Sequence, residues 1–243
     1  MAGHSKWANI KHKKAAQDAK RGKVFTKIIK ELMVSAKNGG SDPEANPRLR
    51  QAISTAKAAN MPNDTMARAI QKGAGELEGI NYEEMTYEGF GPGNCMVIVD
   101  CLSDNANRTI TDVRNCFTKT KSNLGAQNSA SHMFDHQAIF QFEGSDEDAI
   151  LEVLMEADVD VTDVEGDDNK ITVFAPHTEF YQVKTALTDA YPKLTFETEE
   201  ITFVPQTQVD ISNDDMPMFE KFMAMLEDCD DVQDVYHNAN LQG

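Results

Sequence analysis

The chain has 243 residues, 40% of them hydrophobic and 26% charged, a normal globular mixture with room for two or three domains. No run of about 18 apolar residues exists, which excludes a transmembrane helix. Four cysteines, Cys95, Cys101, Cys116 and Cys229, occur without a C-x-x-C pair, and read as reduced, mostly buried thiols of a cytosolic protein. The formal net charge of −17 would, taken alone, argue against a polyanionic partner.

The distribution of that charge reverses the argument. Residues 1–72 hold 15 Lys and Arg against five acids, a net of +10, whereas the rest of the chain holds 8 against 35, a net of −27. An asymmetry of this size points to a nucleic-acid or membrane contact made by the basic part, while the acidic part keeps the molecule soluble.

From Gly22 to Lys37 the apolar residues Phe25, Ile28, Ile29, Leu32, Met33 and Ala36 recur at three- and four-residue spacing, predicting a helix. Lys20, Lys23, Lys27, Lys30 and Lys37 fall on its opposite, charged face. Asn38-Gly39-Gly40 ends it. Ser41-Asp42-Pro43 predicts the start of a second helix, with Pro43 at a first helical position and Leu49, Ala52, Ile53 and Ala56 inward. A third runs from about Asn63-Asp64 to Gly73, with Met66 and Ile70 inward and Arg68 and Lys72 outward.

Beyond Gly79 the period changes from 3.6 to 2. Residues 82–90 and 95–102 read as strands joined by the turn Gly91-Pro92-Gly93-Asn94, followed by a helix from about Arg108 to Lys121 capped by Asn107. Gly125 to His132 is small and polar, and no element is assigned to it. A strand at 138–142 then leads to a helix capped by Ser145, with Ile150, Leu151, Leu154 and Met155 on its apolar side. Strand 159–164 turns through Gly166-Asp167-Asp168-Asn169 into strand 170–175, and a helix over 177–190 precedes strand 194–204. That βαββαβ order is the ferredoxin-like unit. The remaining helix, with Met218, Phe219, Phe222, Met223 and Leu226, and the strand Val232 to Tyr236 cannot bury their apolar faces alone. They are expected to return to the unit of residues 80–135. The expected fold is therefore α+β and multidomain: an N-terminal three-helix domain (1–78) and two ferredoxin-like α/β domains, the third (136–205) inserted in the second (79–135 plus 206–243).

The stretches GHSKWANIKHKKAAQDAKRGKVFTK, DPEANPRLRQAI, AANMPNDTMARAIQKG, YEGFGPGN, DNANRT and LEDCDDVQDVYHNA resemble the YebC/PmpR family, in this order and over essentially the whole chain. Its members are described as probable bacterial transcriptional regulators and include the mitochondrial translational activator of cytochrome c oxidase subunit I. The resemblance implies a three-domain cytoplasmic protein without enzymatic activity, associated with DNA in some members and with the ribosome in others. Around NSASHMFDHQAIF the chain departs from the family's shorter, more apolar segment.

The densest basic cluster is Lys6, Lys11, Lys13, Lys14, Lys20, Arg21 and Lys23, with Trp7 and Ile10 its only large apolar groups. With Lys27, Lys30, Arg48, Arg50 and Arg68 it makes a candidate nucleic-acid surface. Trp7 either stacks on an exposed base or anchors the segment to the helical domain. Lysine dominates over Arg, Asn and Gln, so contacts to phosphates with weak sequence specificity are expected. His132 and His136 lack a third nearby ligand for a metal. Asp158, Asp160 and Asp163 lack the glycine placement of a calcium loop. GFGPG joins two strands and opens no helix, unlike a dinucleotide fingerprint. The expectation is a non-enzymatic, cofactor-free, cytoplasmic regulator of gene expression that binds DNA, with ribosomal RNA as the alternative target. Protein partners would meet the acidic domains, and neither a membrane nor a small-molecule substrate is expected.

Overall fold

The computed structural model describes residues 21–241. These form an α+β protein in two compact units, one of residues 134–204 and one of residues 21–133 with 205–241.

Helix α1 (Arg21–Gly39) buries Ile28, Leu32, Met33 and Ala36 against Leu49, Ala52 and Ala56 of α2 (Pro47–Ala58) and Met66 and Ala69 of α3 (Asn63–Gly73). The Gly40 N–H donates to Ala36 O at 2.9 Å with Gly40 at φ +88°, a left-handed C-terminal cap. The second helix does not start at Pro43. Asn46 caps it, accepting from the Leu49 N–H at 3.1 Å, while its amide donates to Ser35 O at 2.8 Å and Gly40 O at 2.7 Å. One buried asparagine thus satisfies the end of α1 and the start of α2, and Pro47 takes the first helical position. At Gly73 a Cβ would overlap the Met33 carbonyl, so α1 and α3 cross in backbone contact that only glycine permits.

Strands β1 (Glu83–Phe90) and β2 (Met96–Ser103) pair antiparallel from Glu83↔Ser103 to Phe90↔Met96. Their turn needs the left-handed residues Gly93 and Asn94. Helix α4 (Ala106–Lys119) follows, capped by Asn105 and not by Asn107: the Asn105 side chain accepts from the Arg108 N–H at 3.1 Å. Strand β3 (Asn123–Leu124) pairs with β1.

The smaller unit runs β4 (Phe134–Glu143), α5 (Glu147–Glu156), β5 (Asp163–Asp167), β6 (Lys170–Pro176), α6 (Phe180–Ala190) and β7 (Phe196–Pro205). The sheet order β5-β6-β4-β7 gives the ferredoxin-like βαββαβ arrangement. Asp146, not Ser145, caps α5, accepting from the Ala149 N–H at 3.0 Å. Ile150 and Leu154 of α5 are buried, but Leu151 and Met155, expected beside them, are exposed. Strand β5 lies later than the alternation of Val159 and Val161 suggests. Asp168 and Asn169 both have positive φ, and this two-residue turn lets the strand run up to Asp167. Val159 instead donates its N–H to Leu154 O at 3.0 Å and packs in the core.

After β8 (Val209–Asp210), helix α7 (Met216–Asp228) and strand β9 (Val232–His237) return to the larger unit, where β10 (Ala239–Asn240) pairs with β8. The order β3-β1-β2-β9 places the C-terminal strand beside β2. Phe219, Phe222 and Leu226 of α7 meet Val113 and Phe117 of α4 and Val97 and Val99 of β2 in one core.

Candidate nucleic-acid interface

The lysine face of α1 does not point away from the protein. Lys23, Lys27 and Lys30, three and four residues apart, share one side of the helix, and that side docks on residues 228–233. Lys30 is 5% exposed. Its ammonium donates to Leu102 O at 3.1 Å, Asp230 O at 2.7 Å and Asp231 Oδ1 at 3.1 Å, which uses all three of its donors. Lys27 donates to Gln233 O at 3.2 Å, and Gln233 Nε2 returns a bond to Lys27 O at 3.1 Å. Lys23 donates to Asp228 O at 2.6 Å and pairs with its carboxylate at 3.2 Å. Of the candidate nucleic-acid residues, Lys23, Lys27 and Lys30 make these contacts within the fold. Lys30 is closed off from any phosphate, and Lys23 and Lys27 hold the helix against the acidic segment.

Asp231 is the hub of that contact. Besides Lys30 it accepts from Arg108 Nε at 2.9 Å and from Thr109 Oγ1 at 3.0 Å. Burial pushes its carboxyl up, but the hydrogen bonds from Lys30, Arg108 and Thr109 outweigh burial and hold it below the usual carboxylate range. Arg108 also pairs with Asp104 at 2.7 Å, so this residue of the DNANRT stretch serves the docking network. The half-buried Arg48 bridges Glu31, at 2.7 Å, and Glu84. Arg50 donates to Pro43 O and Glu44 O, both at 2.7 Å, closing the turn before α2.

A different set of groups faces outward. Lys57, Arg68 and Lys72 are exposed, and among the described residues none of them makes an ion pair. Helices α2 and α3 are joined by the short turn of residues 59–62, with Asn60 in the left-handed region at φ +57°. The solvent side of α3 presents Asn63, Arg68, Gln71 and Lys72, side chains able to pair with base edges or phosphates. Asn63 and Gln71 were not singled out from the sequence, although their spacing of eight residues puts them on one helix face. Arg21 is the first residue of α1. Lys6, Trp7, Lys11, Lys13, Lys14 and Lys20 lie outside the described residues.

The polar loop after β3 takes its shape from Glu88. This buried carboxylate accepts the N–H groups of Asn128, Ala130 and Ser131 at 3.0, 2.8 and 2.7 Å. Burial raises its pKa, yet the three backbone donors prevail and it lies below its ordinary value. In the smaller unit His136 stacks on His177 at 4.0 Å and on Phe203 at 4.5 Å between ring centroids. Burial and the neighbouring imidazole push it down to about 4. Among the described residues no group of three His, Cys, Asp or Glu could hold a metal ion, and no helix is long and apolar enough to cross a membrane.

Known proteins share this architecture and sequence. Residues 5–76 match the family description "TACO1/YebC protein N-terminal domain" and residues 82–239 match "TACO1/YebC second and third domain". A "probable transcriptional regulatory protein" of Alteromonas mediterranea is 68% identical over 217 residues, covering 89% of this chain and 90% of that one. One of Shewanella oneidensis is 53% identical over 236 residues, 97% of this chain and 98% of its own. The crystal structure of a conserved hypothetical protein from Aquifex aeolicus has 39% identity and a TM-score of 0.76, covering 93% of both chains. With both family descriptions matched in order along the chain and relatives this similar over nearly their whole length, the protein belongs to the TACO1/YebC family.

Proposed function

We propose that the protein is a non-enzymatic regulator of gene expression that acts in the cytoplasm by binding nucleic acid, with duplex DNA as the first target. The observation that carries this reading is the cationic excess of residues 1–72, which persists after the docked lysines are set aside. The contact surface then consists of Lys6, Trp7, Lys11, Lys13, Lys14, Lys20 and Arg21, continued by the outward cations Lys57, Arg68 and Lys72. Two further features support duplex DNA: the short turn between α2 and α3, with base-competent side chains on the outer face of α3, and the regulatory names of the relatives. Lysines bind phosphate oxygens regardless of sequence, so affinity is expected to be strongly salt-dependent and sequence preference modest, resting on Asn63, Arg68 and Gln71.

The same phosphate chemistry fits structured RNA. Ribosome-bound translational control is the second reading, favoured by the predominance of lysine over base-reading groups. Cross-linking in cells, followed by sequencing of the attached nucleic acid, separates them. Recovery of promoter DNA is the expected result. Ribosomal RNA would move the function to translation, and recovery of neither would overturn nucleic-acid binding.

A further inference from the structure

Two thiols of the larger unit face each other across the helices that back its sheet. Cys116 Sγ, in the last turns of α4, lies 3.6 Å from Cys229 Sγ, the residue that ends α7. They are 113 residues apart in sequence, so the fold alone brings them together. Cys116 is buried and Cys229 is half-buried, its sulfur also 3.3 Å from Met225 O. The other two cysteines, Cys95 and Cys101, are buried singly, and burial pushes each of their thiols up to about 12. We infer that Cys116 and Cys229 form an oxidisable pair that a peroxide converts into a disulfide, stapling α4 to the segment on which α1 docks.

The chemistry balances within the pair and the oxidant. Either sulfur can donate the hydrogen bond that the two share; when Cys229 donates it, Cys116 is the sulfur that reacts as thiolate. It attacks one peroxide oxygen, the O–O bond breaks, a sulfenic acid forms and the second oxygen leaves as water after taking a proton. The Cys229 sulfur then attacks the sulfenic sulfur. The S–S bond forms, the S–O bond breaks, and the hydroxyl leaves as water with the Cys229 proton. Two thiols and one hydrogen peroxide thus give one disulfide and two waters. Closing the sulfurs from 3.6 Å to the roughly 2 Å of a disulfide is an approach of about 1.6 Å.

The position of Cys229 gives the bond its consequence. Asp228, Asp230, Asp231 and Gln233, which receive Lys23, Lys27 and Lys30, immediately flank or follow it. A staple at residue 229 removes freedom from the anchor of the basic helix, so oxidation is expected to tighten the amides of residues 226–233.

The test treats the full chain with hydrogen peroxide, blocks remaining thiols by alkylation, and maps peptides by mass spectrometry without reduction. The expected product is a peptide linkage between Cys116 and Cys229 lacking two hydrogens, reversed by a dithiol and absent from Cys229→Ser, with Cys95 and Cys101 still alkylated. Amide hydrogen exchange over 226–233 should slow on oxidation and recover on reduction. The inference is overturned if the two thiols remain alkylatable, if they pass to sulfinic acids without the linkage, or if Cys229 links to a second chain.

Discussion

Lys30 and Arg68 are both cations on outward-reading faces of short amphipathic helices, yet they do opposite work. Lys30 is buried, with every donor committed to Leu102, Asp230 and Asp231. Arg68 stands exposed on α3. A basic side chain in a cationic region is therefore not by itself a phosphate ligand. In this protein Lys23, Lys27 and Lys30 of α1 hold the helical bundle against an acidic segment of the same unit, Arg48 and Arg50 of α2 are engaged within the fold, and Lys57, Arg68 and Lys72 stand exposed.

The sharpest way to break that comparison is to remove the buried cation. Lys30→Met leaves the Asp231 carboxylate with part of its donor set in a buried site. Denaturant unfolding should record a loss of about 3 kcal/mol, and a loss near zero would place Lys30 among the solvated groups. The converse variant, Lys57→Glu with Arg68→Glu and Lys72→Glu, should change stability by no more than about 0.5 kcal/mol per site. Its affinity for duplex DNA should nevertheless fall at least about tenfold, with the salt slope shallower by about one for each phosphate that is no longer neutralised.

Asp100 sharpens the picture on the acidic side. Burial, opposed by the 2.8 Å hydrogen bond from Thr86 and reinforced by Asp234 and Glu84, raises its pKa to about 6. A carboxyl raised above its unfolded value contributes stability below that unfolded value, which is lost as pH rises through about 6. Asp100→Asn keeps the acceptor for Thr86 and should stabilise the protein by about 1–2 kcal/mol at pH 7.5, with the gain vanishing at pH 4. Glu88 has the opposite sign. Its lowered pKa gives stability present above the unfolded value near 4.3 and lost as pH falls through the folded one. Glu88→Gln should flatten the acid limb of the stability profile, the smallest of these effects, readable by thermal unfolding between pH 5 and 2.

Most of the architecture was legible because helix and strand periods report burial directly. Helices α1, α3 and α7, the β1–β2 hairpin and the ferredoxin-like order all follow from apolar spacing. The caps were harder to place. Asn46, Asn105 and Asp146 each won over a nearby Pro43, Asn107 or Ser145 of equal local promise, because the choice depends on where neighbouring carbonyls and amides lie. Strand β5 was misplaced because Val159 and Val161 alternate as a strand does, although Val159 belongs to the core at the end of α5. The docking of the α1 lysines was not legible at all. Their partners lie some 200 residues away, and helical periodicity tells which side chains share a face without telling what covers it.

The central claim is that the basic residues Lys6, Lys11, Lys13, Lys14, Lys20 and Arg21, with Lys57, Arg68 and Lys72, and not the docked stripe of α1, grip the phosphate backbone. Its most direct test is the slope of log affinity against log salt for duplex DNA, compared between the parent and the variant Lys6→Glu, Lys11→Glu, Lys13→Glu, Lys14→Glu. With about 0.9 of slope per neutralised phosphate, the account predicts a slope shallower by about 3 to 4 and a large loss of affinity at low salt. Equal slopes and equal affinities in the two proteins would contradict it.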